Sequence, residues 1–285
     1  MNKIKFIFLF LVLIFIFNSV GIGQGYLVII GGGDRTDEIM KKIIQLAGNN
    51  AKVLIVPNAS SVPNETAQRL VDDFYKLGVN NIKVFFGDRE KANDNSYIKQ
   101  FGDCNIVFFS GGDQNRLTKD LLNTKLLDLI KLIYFRGGVI SGTSAGAAVM
   151  SKIMITGDEY KNKDSTNPFS TIESVNVAVS EGFGFLEDVI IDQHFIKRKR
   201  LNRLISLVIE NADKIGIGID ESTAIVVYPN RTFEVIGESQ VIVFDPSKSP
   251  DLTENEKDKL GGSNILMHIL LPKQKFDLNT RRVLP

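Results

Sequence analysis

Between Tyr26 and Ser141 the chain repeats one pattern: a short run of β-branched and aromatic residues, a glycine or proline close behind it, then an amphipathic stretch. The runs are YLVII (Tyr26 to Ile30), KVLIV (Lys52 to Val56, stopped by Pro57), IKVFF (Ile82 to Phe86), NIVFF (Asn105 to Phe109) and GGVISG around Val139 and Ile140. Runs this apolar have two faces to bury, which a sheet open to water on one side does not offer. The stretches between them carry helical spacing: Ile39, Ile43, Ile44 and Ala47 share one face, and helices are predicted over Thr66 to Leu77, Asn115 to Leu122 and Lys125 to Phe135. Strands alternating with helices define βαβ units, hence an α/β fold with a mostly parallel sheet and helices on both faces. In such sheets ligands bind beyond the carboxyl ends of the strands, so the loops directly after the apolar runs carry the functional question.

The second half differs. VIIDQHF (Val189 to Phe195) reads as a strand leading into a basic helix. IGIGID, TAIVVY, FEVIG and SQVIVFD then follow through tight turns such as Pro229-Asn230, so antiparallel strands are predicted in this half. Asp245 to Ser263 is a polar surface excursion, and ILMHILL (Ile265 to Leu271) is expected as the last strand. No internal repeat or low-complexity linker interrupts the chain, so residues 24–285 are expected to form one domain.

The first residues stand apart. Lys3 and Lys5 precede an apolar run from Phe6 to Phe17, and small and polar residues close it near Gly21 to Gly23. A membrane span needs about 20 apolar residues. The segment fits a signal peptide over residues 1–23, and hence export to a periplasmic or extracellular space. The alternative is a retained membrane anchor made by residues 6–17. A single cysteine, Cys104, permits neither a disulfide framework nor a cysteine metal site, and two histidines exclude a three-histidine zinc site. A net charge of +1 gives no electrostatic attraction for nucleic acid or acidic membranes.

At Gly142-Thr143-Ser144-Ala145-Gly146, the turn after the fifth run, the chain satisfies the G-x-S-x-G pattern of a nucleophile elbow. Such a turn holds a serine exposed between small neighbours, and the amide of Ala145 can face a developing oxyanion. The plainer reading is a glycine-rich turn with an incidental serine. Of the two candidate bases, His268 lies inside the apolar ILMHILL, as a histidine satisfied on a sheet would. His194 sits at a strand end and is favoured. The orienting acid stays open among Glu221, Asp158, Glu159 and Asp192, with Glu221 on a separate loop the better placed. SGGDQNR (Ser110 to Arg116) is a second glycine turn, whose amides near Gly112 and Asp113 can supply another oxyanion donor; Gln114 can touch substrate, or Asp113 can simply cap a helix.

The run KRKRLNR places Lys197, Arg198, Lys199, Arg200 and Arg203 directly after His194. A charge run is most often a solvated helix face. Here two of the three arginines are expected to contact a substrate bearing acidic groups, because guanidinium forks pair with carboxylates. GGGDRT (Gly31 to Thr36) invites a dinucleotide reading, but it lacks G-x-G-x-x-G spacing and no acid ends the second strand, so no nucleotide cofactor is expected.

Taken in order, GGDQ, GTSAGA, DQHF followed by R-x-R-x-x-R, and GIGIDE-x-TA resemble the signature of peptidase family S51, which holds the cyanophycinases and aspartyl dipeptidase. The resemblance runs from GGGD to HILLPKQKFDL. It implies a serine hydrolase on a class I glutamine amidotransferase-like fold, with Ser144 as nucleophile, His194 as base, Glu221 as acid and no cofactor or metal. It places Gln114, Asp192, Gln193, Arg198, Arg200 and Arg203 at substrate-pocket positions. The implied substrate is cyanophycin, a polyaspartate whose side-chain carboxyls carry arginine in isopeptide linkage. The implied activity is hydrolysis of these β-aspartyl-arginine links to β-Asp-Arg dipeptides through an acyl-enzyme. Asp158 or Glu159 would then meet a substrate guanidinium, and two copies of the chain would pair as a homodimer. Alternatives are a dipeptidase for α-Asp or isoaspartyl peptides and an inactive binding protein of the same fold. Ser222 stands where close cyanophycinases carry asparagine.

Overall fold

The computed structural model describes residues 24–161 and 168–285. The segment expected as a signal peptide, residues 1–23, and part of the stretch after Tyr160 lie outside the described residues. Five strands lie side by side in parallel: β1 (Tyr26–Ile30), β2 (Lys52–Val56), β3 (Asn81–Val84), β4 (Ile106–Phe109) and β5 (Val139–Thr143), in the order β1-β5-β4-β2-β3. Four antiparallel strands extend the β1 edge: β10 (Thr223–Val227), β11 (Thr232–Gly237), β16 (Lys275–Asp277) and β17 (Arg282–Leu284). The fold class is the mixed α/β one that the apolar runs demand, with a large central sheet and added antiparallel strands late in the chain.

Alternate residues of each parallel strand feed two cores. Val28, Ile30, Val53, Ile55, Ile106 and Phe108 pack under α1 (Asp37–Ala47) and α2 (Pro63–Lys76), against Ile39, Met40, Ile43, Leu70 and Phe74. Leu27, Ile29, Leu54, Val56, Val107 and Phe109 face the other way, towards α4 (Gln114–Leu121) and α5 (Lys125–Phe135); α3 (Asn95–Ile98) is a single turn on this side. Full burial of each such side chain is worth about 1.5–3 kcal/mol, so the two cores hold the sheet together. Pro63 begins α2, three residues before the predicted start, because proline lacks only an N–H that the first turn leaves unused.

The strand VIIDQHF does not join this sheet. As β8 (Val189–Gln193) it pairs in parallel with β9 (Ile215–Ile219), and β12 (Val241–Asp245) and β15 (Leu266–Leu270) complete a second, four-stranded sheet. Ile191, Ile215, Ile217, Ile219, Val241 and Val243 merge with the core on the α4 and α5 side. The outer face, with Ile190 and Phe244, is covered by Leu204, Leu207 and Val208 of α7 (Leu201–Glu210). The hairpin of β6 (Ile153–Glu159) and β7 (Val177–Glu181) lies beside β8, and β13 (Thr253–Glu254) with β14 (Leu260–Gly261) forms a small ladder in the polar excursion. ILMHILL is the edge of the second sheet rather than the last strand. β16 and β17 follow it, bound to β11 through Phe276, which stacks on Phe233. The basic run is a turn, not a helix: Arg198 N donates to His194 O and Arg200 N to Phe195 O, and α7 begins only at Leu201.

Candidate active site

β1, β4 and β5 end on the same side of the central sheet, and the β9–β10 connection crosses from the second sheet to the first beside them. Ser144 follows β5 and precedes α6 (Ala145–Ala148), with φ 52° and ψ −106°, values a serine adopts only when its surroundings enforce them. Gly142 and Gly146 make this crowding possible. A Cβ on Gly142 would stand 2.4 Å from the Gly146 carbonyl oxygen, and one on Gly146 would stand 2.5 Å from that of Phe109.

Ser144 Oγ lies 2.8 Å from His194 Nε2, and His194 Nδ1 lies 2.6 Å from Glu221 Oε1. An ionised glutamate only accepts, so Nδ1 carries the proton and Nε2 is left to accept from the serine hydroxyl. The imidazole is 7% exposed and Ser144 is half-buried. Burial lowers the His194 pKa from its ordinary 6.5; the hydrogen bond to Glu221 opposes this, and the charges of Arg198 and Arg200 lower it further. The ring is therefore mainly neutral, and able to accept a proton, in neutral solution. The arrangement can pass the Ser144 proton to Nε2 while Glu221 stabilises the resulting imidazolium. Asp220, which the sequence did not single out, fixes the turn after the imidazole: its Oδ1 accepts from Ile196 N at 3.1 Å and Lys197 N at 2.9 Å, and its Oδ2 from Ser239 Oγ at 2.8 Å.

The amide of Ala145 stands beside Ser144 and has no acceptor among the described residues. The Asp113 amide is already used: it donates to Ala59 O at 2.8 Å, and the Asp113 carboxylate caps α4 through Asn115 N. The expected second oxyanion donor therefore moves one residue back, to Gly112, whose amide has no acceptor among the described residues. A Cβ on the adjoining Gly111 would lie 3.6 Å from Ser144 Cβ, which places this turn against the serine.

Most of the polar residues after β8 form an internal lattice. Asp192 is fully buried and accepts from Arg203 Nε at 2.7 Å and from Arg203 Nη2; Arg203 is 2% exposed and stacks over Phe169. Gln193 Oε1 accepts from Arg200 Nη1 at 2.7 Å and Arg203 Nη2 at 3.1 Å. Burial, with the charge of Arg203 next, presses the Arg200 pKa down to about 10. Asp192, Gln193 and Arg203 thus brace one another instead of lining a pocket, because a buried carboxylate is held only by a buried cation and hydrogen bonds. Gln114 is buried too, and its Nε2 donates to Ile155 O at 2.7 Å and Thr156 O at 2.6 Å, tying α4 to β6. Arg198 is exposed and unpaired among the described residues, yet near enough to His194 to depress its pKa. Of the three arginines, Arg198 is the one free to meet a ligand carboxylate, with Arg200 partly accessible behind it.

Asp158 is not beside the imidazole. It is exposed near the end of β6, with Glu159, Tyr160 and Phe169, around a cavity of about 500 Å³. Glu159 is buried, and its Oε2 accepts from Phe169 N at 3.1 Å and Asn176 Nδ2 at 3.2 Å. His268 packs on the ring of Phe276, away from the relay, but its buried Nε2 has no hydrogen-bond partner among the described residues, so it is not the satisfied histidine expected. A cavity of about 710 Å³ opens instead beside Gln24, Lys131 and Arg231, and contains none of these catalytic candidates. Among the described residues, no group of three or more His, Cys, Asp or Glu gathers as metal ligands would.

Residues 27–235 match Peptidase family S51. The chain is 34% identical over 271 residues to the cyanophycinase of Trichormus variabilis, covering 91% of this chain and 87% of the relative. It is 33% identical over 269 residues to the cyanophycinase of Synechococcus elongatus, covering 91% and 81%. Among solved structures it is similar to a peptidase from an acI-B1 Actinobacterium, with a TM-score of 0.67, 24% identity, and coverage of 90% of this chain and 97% of that one.

Proposed function

Because the chain belongs to peptidase family S51, and is a serine-type peptidase, we propose that it degrades a cyanophycin-like polymer to β-Asp-Arg dipeptides, with Ser144, His194 and Glu221 as its catalytic triad. The observation that carries the reading is the unbroken relay from Ser144 Oγ through both ring nitrogens of His194 to Glu221 Oε1, at 2.8 and 2.6 Å. The likeness to two cyanophycinases over nine-tenths of the chain supports the substrate class.

The bond broken is the backbone amide between successive aspartates, in place of the isopeptide link expected from the sequence. Cleaving the isopeptide bond itself would free arginine and leave no dipeptide. His194 Nε2 takes the hydroxyl proton as Ser144 Oγ attacks the backbone carbonyl carbon. The amides of Ala145 and Gly112 receive the oxyanion, a contribution of about 2.7–4 kcal/mol for one donor in comparable sites. The C–N bond breaks as His194 returns the proton to the departing amine. Water, deprotonated by the same nitrogen, then releases the acyl group and restores the hydroxyl. Arg198 pairs with a substrate carboxylate at the rim. Asp158, beside Tyr160 and Phe169, meets the guanidinium.

We propose further that the protein is exported from the cytoplasm. Lys3, Lys5 and the apolar run before Gly21 support export, and burial suits the lone thiol of Cys104, whose pKa it raises to about 11. No helix of the described residues is long and apolar enough to cross a membrane. Amino-terminal sequencing of the processed protein tests the cleavage. Purified protein, offered cyanophycin, isoaspartyl dipeptides and α-Asp dipeptides, is expected to release β-Asp-Arg from the polymer alone, and Ser144→Ala to release none. Turnover confined to either dipeptide class would replace the polymer reading with that of a dipeptidase. Full turnover by Ser144→Ala would remove the nucleophile.

A further inference from the structure

The turn Gly31-Gly32-Gly33 matches no cofactor motif and takes no step in the proposed reaction, yet together with Ile30, which ends β1 before it, it contacts the loop of every member of the relay. Three consecutive carbonyls at this turn each accept from one of the three site loops. Ile30 O accepts from Ser144 N at 3.0 Å, Gly31 O from His194 N at 2.7 Å, and Gly32 O from Ser222 N, the residue after Glu221, at 2.8 Å. The three acceptors are fixed relative to one another by covalent geometry. The three donors come from connections that are distant in sequence and belong to two different sheets. Their residues, Ser144, His194 and Ser222, share a left-handed φ of 50–53°, which is uncommon for non-glycine residues.

The side of the turn that faces the site is bare. A Cβ on Gly32 would stand 2.2 Å from His194 Cε1, 2.5 Å from Nε2 and 2.7 Å from Nδ1; one on Gly33 would stand 2.8 Å from Glu221 Cβ. The edge of the imidazole that includes both relay nitrogens therefore rests against the Cα of Gly32, with no room for a methyl group.

From this we infer that Gly31-Gly32-Gly33 is the positioning element of the active site, and that Gly32 sets the placement of the His194 imidazole between Ser144 and Glu221. The inference rests on the reading of His194 as the base. It acts by geometry alone: a methyl group at position 32 moves the ring off one or both of its hydrogen bonds without removing a reacting group. Displacement of a catalytic group by about 1 Å costs about a hundredfold in rate.

The test is a double-mutant cycle of Gly32→Ala and His194→Ala in the full chain, read by kcat and KM on cyanophycin and by denaturant unfolding. Gly32→Ala is expected to lower kcat about a hundredfold, with KM within threefold of wild type, and to add no further loss to His194→Ala. In unfolding, Gly32→Ala is expected to cost less in the His194→Ala background, where the ring atoms it would strike are gone. The strain of an alanine at φ 110° is common to both backgrounds and cancels. If Gly32→Ala alone does not fold, the double variant must. A kcat within threefold of wild type, a rise in KM instead of a fall in kcat, equal stability costs in both backgrounds, or an unfolded double variant would each overturn the inference. Wild-type turnover by His194→Ala would sink the base assignment instead, while the unfolding cycle would still judge the turn.

Discussion

Glu221→Gln separates an orienting carboxylate from an incidental neighbour. The carboxylate accepts from His194 Nδ1 at 2.6 Å, and its side chain is 28% exposed, so solvent screens the pair only in part. A hydrogen bond to a charged group is worth about 1.5–3 kcal/mol, and it tightens when the imidazole becomes cationic in the transition state. At about 1.36 kcal/mol per decade, its loss lowers kcat about ten- to a hundredfold. If the glutamine presents its NH₂ group to Nδ1, the ring changes tautomer and Nε2 can no longer accept; the loss then approaches about ten-thousandfold. The pH profile carries the sign. Burial lowers the His194 pKa and Glu221 raises it, so removing the carboxylate charge shifts the acid limb of kcat further down, while the maximum collapses. The assay is kcat on the polymer from pH 4 to 9, with the labelling rate of Ser144 by a fluorophosphonate as a readout independent of substrate. A kcat within threefold of wild type, or an acid limb that moves up, would refute the reasoning. An Asp158→Asn variant slower than Glu221→Gln would transfer the acid to β6.

Arg203→Met leaves the fully buried Asp192 carboxylate without its main cation and is expected to cost about 3–5 kcal/mol in denaturant unfolding, whereas Arg198→Ala leaves the midpoint unchanged and raises KM. The reverse pattern would return Arg203 to the substrate pocket. Because burial lowers the His194 pKa below 6.5, the unfolded chain binds more protons beneath that pH; this residue's contribution to stability is present above pH 6.5 and is lost as the pH falls towards the depressed value. His194→Gln is expected to flatten that part of the stability profile, and an unchanged slope would contradict it. Ser222→Asn is expected to raise stability by about 0.5–1 kcal/mol, since asparagine tolerates a φ of 53° better than serine does, and a lower melting temperature would count against it.

The parallel half was legible because burial on both faces leaves an apolar run that nothing else in the chain imitates. The second sheet was not. Whether VIIDQHF pairs with β5 or with IGIGI depends on tertiary packing that strand composition does not encode. The basic run misled for a related reason. Its residues favour a helix singly, but Asp220 takes the amides of Ile196 and Lys197, and Lys199 turns left-handed at φ 54° before α7 can start. In the site, the serine and histidine could be singled out because both follow strand ends, whereas the acid stayed open among four carboxylates until the resemblance pointed to Glu221. The pocket residues could not be separated from their supports. Asp192, Gln193 and Arg203 have the character of ligand-binding groups in sequence, and only their mutual hydrogen bonds show that they are occupied with one another.

Ser222 shows how backbone geometry changes the meaning of a sequence departure. A serine after the glutamate, where the resemblance to cyanophycinases leads to an expectation of asparagine, invites a reading as a change of substrate preference. In the structure its amide is bound to Gly32 O and its φ is 53°. Asparagine is enriched in that conformation for reasons local to its own side chain and backbone. A left-handed residue is required here because the chain must deliver Glu221 to the imidazole and enter β10 at Thr223 immediately afterwards. Exchanging serine for asparagine therefore alters the cost of holding the turn. It leaves the carboxylate where the carbonyls of Ile30, Gly31 and Gly32 put the site loops. Specificity has to be sought where the chain is free to meet a ligand, at Arg198 and around Asp158, and there a substitution changes KM before it changes stability.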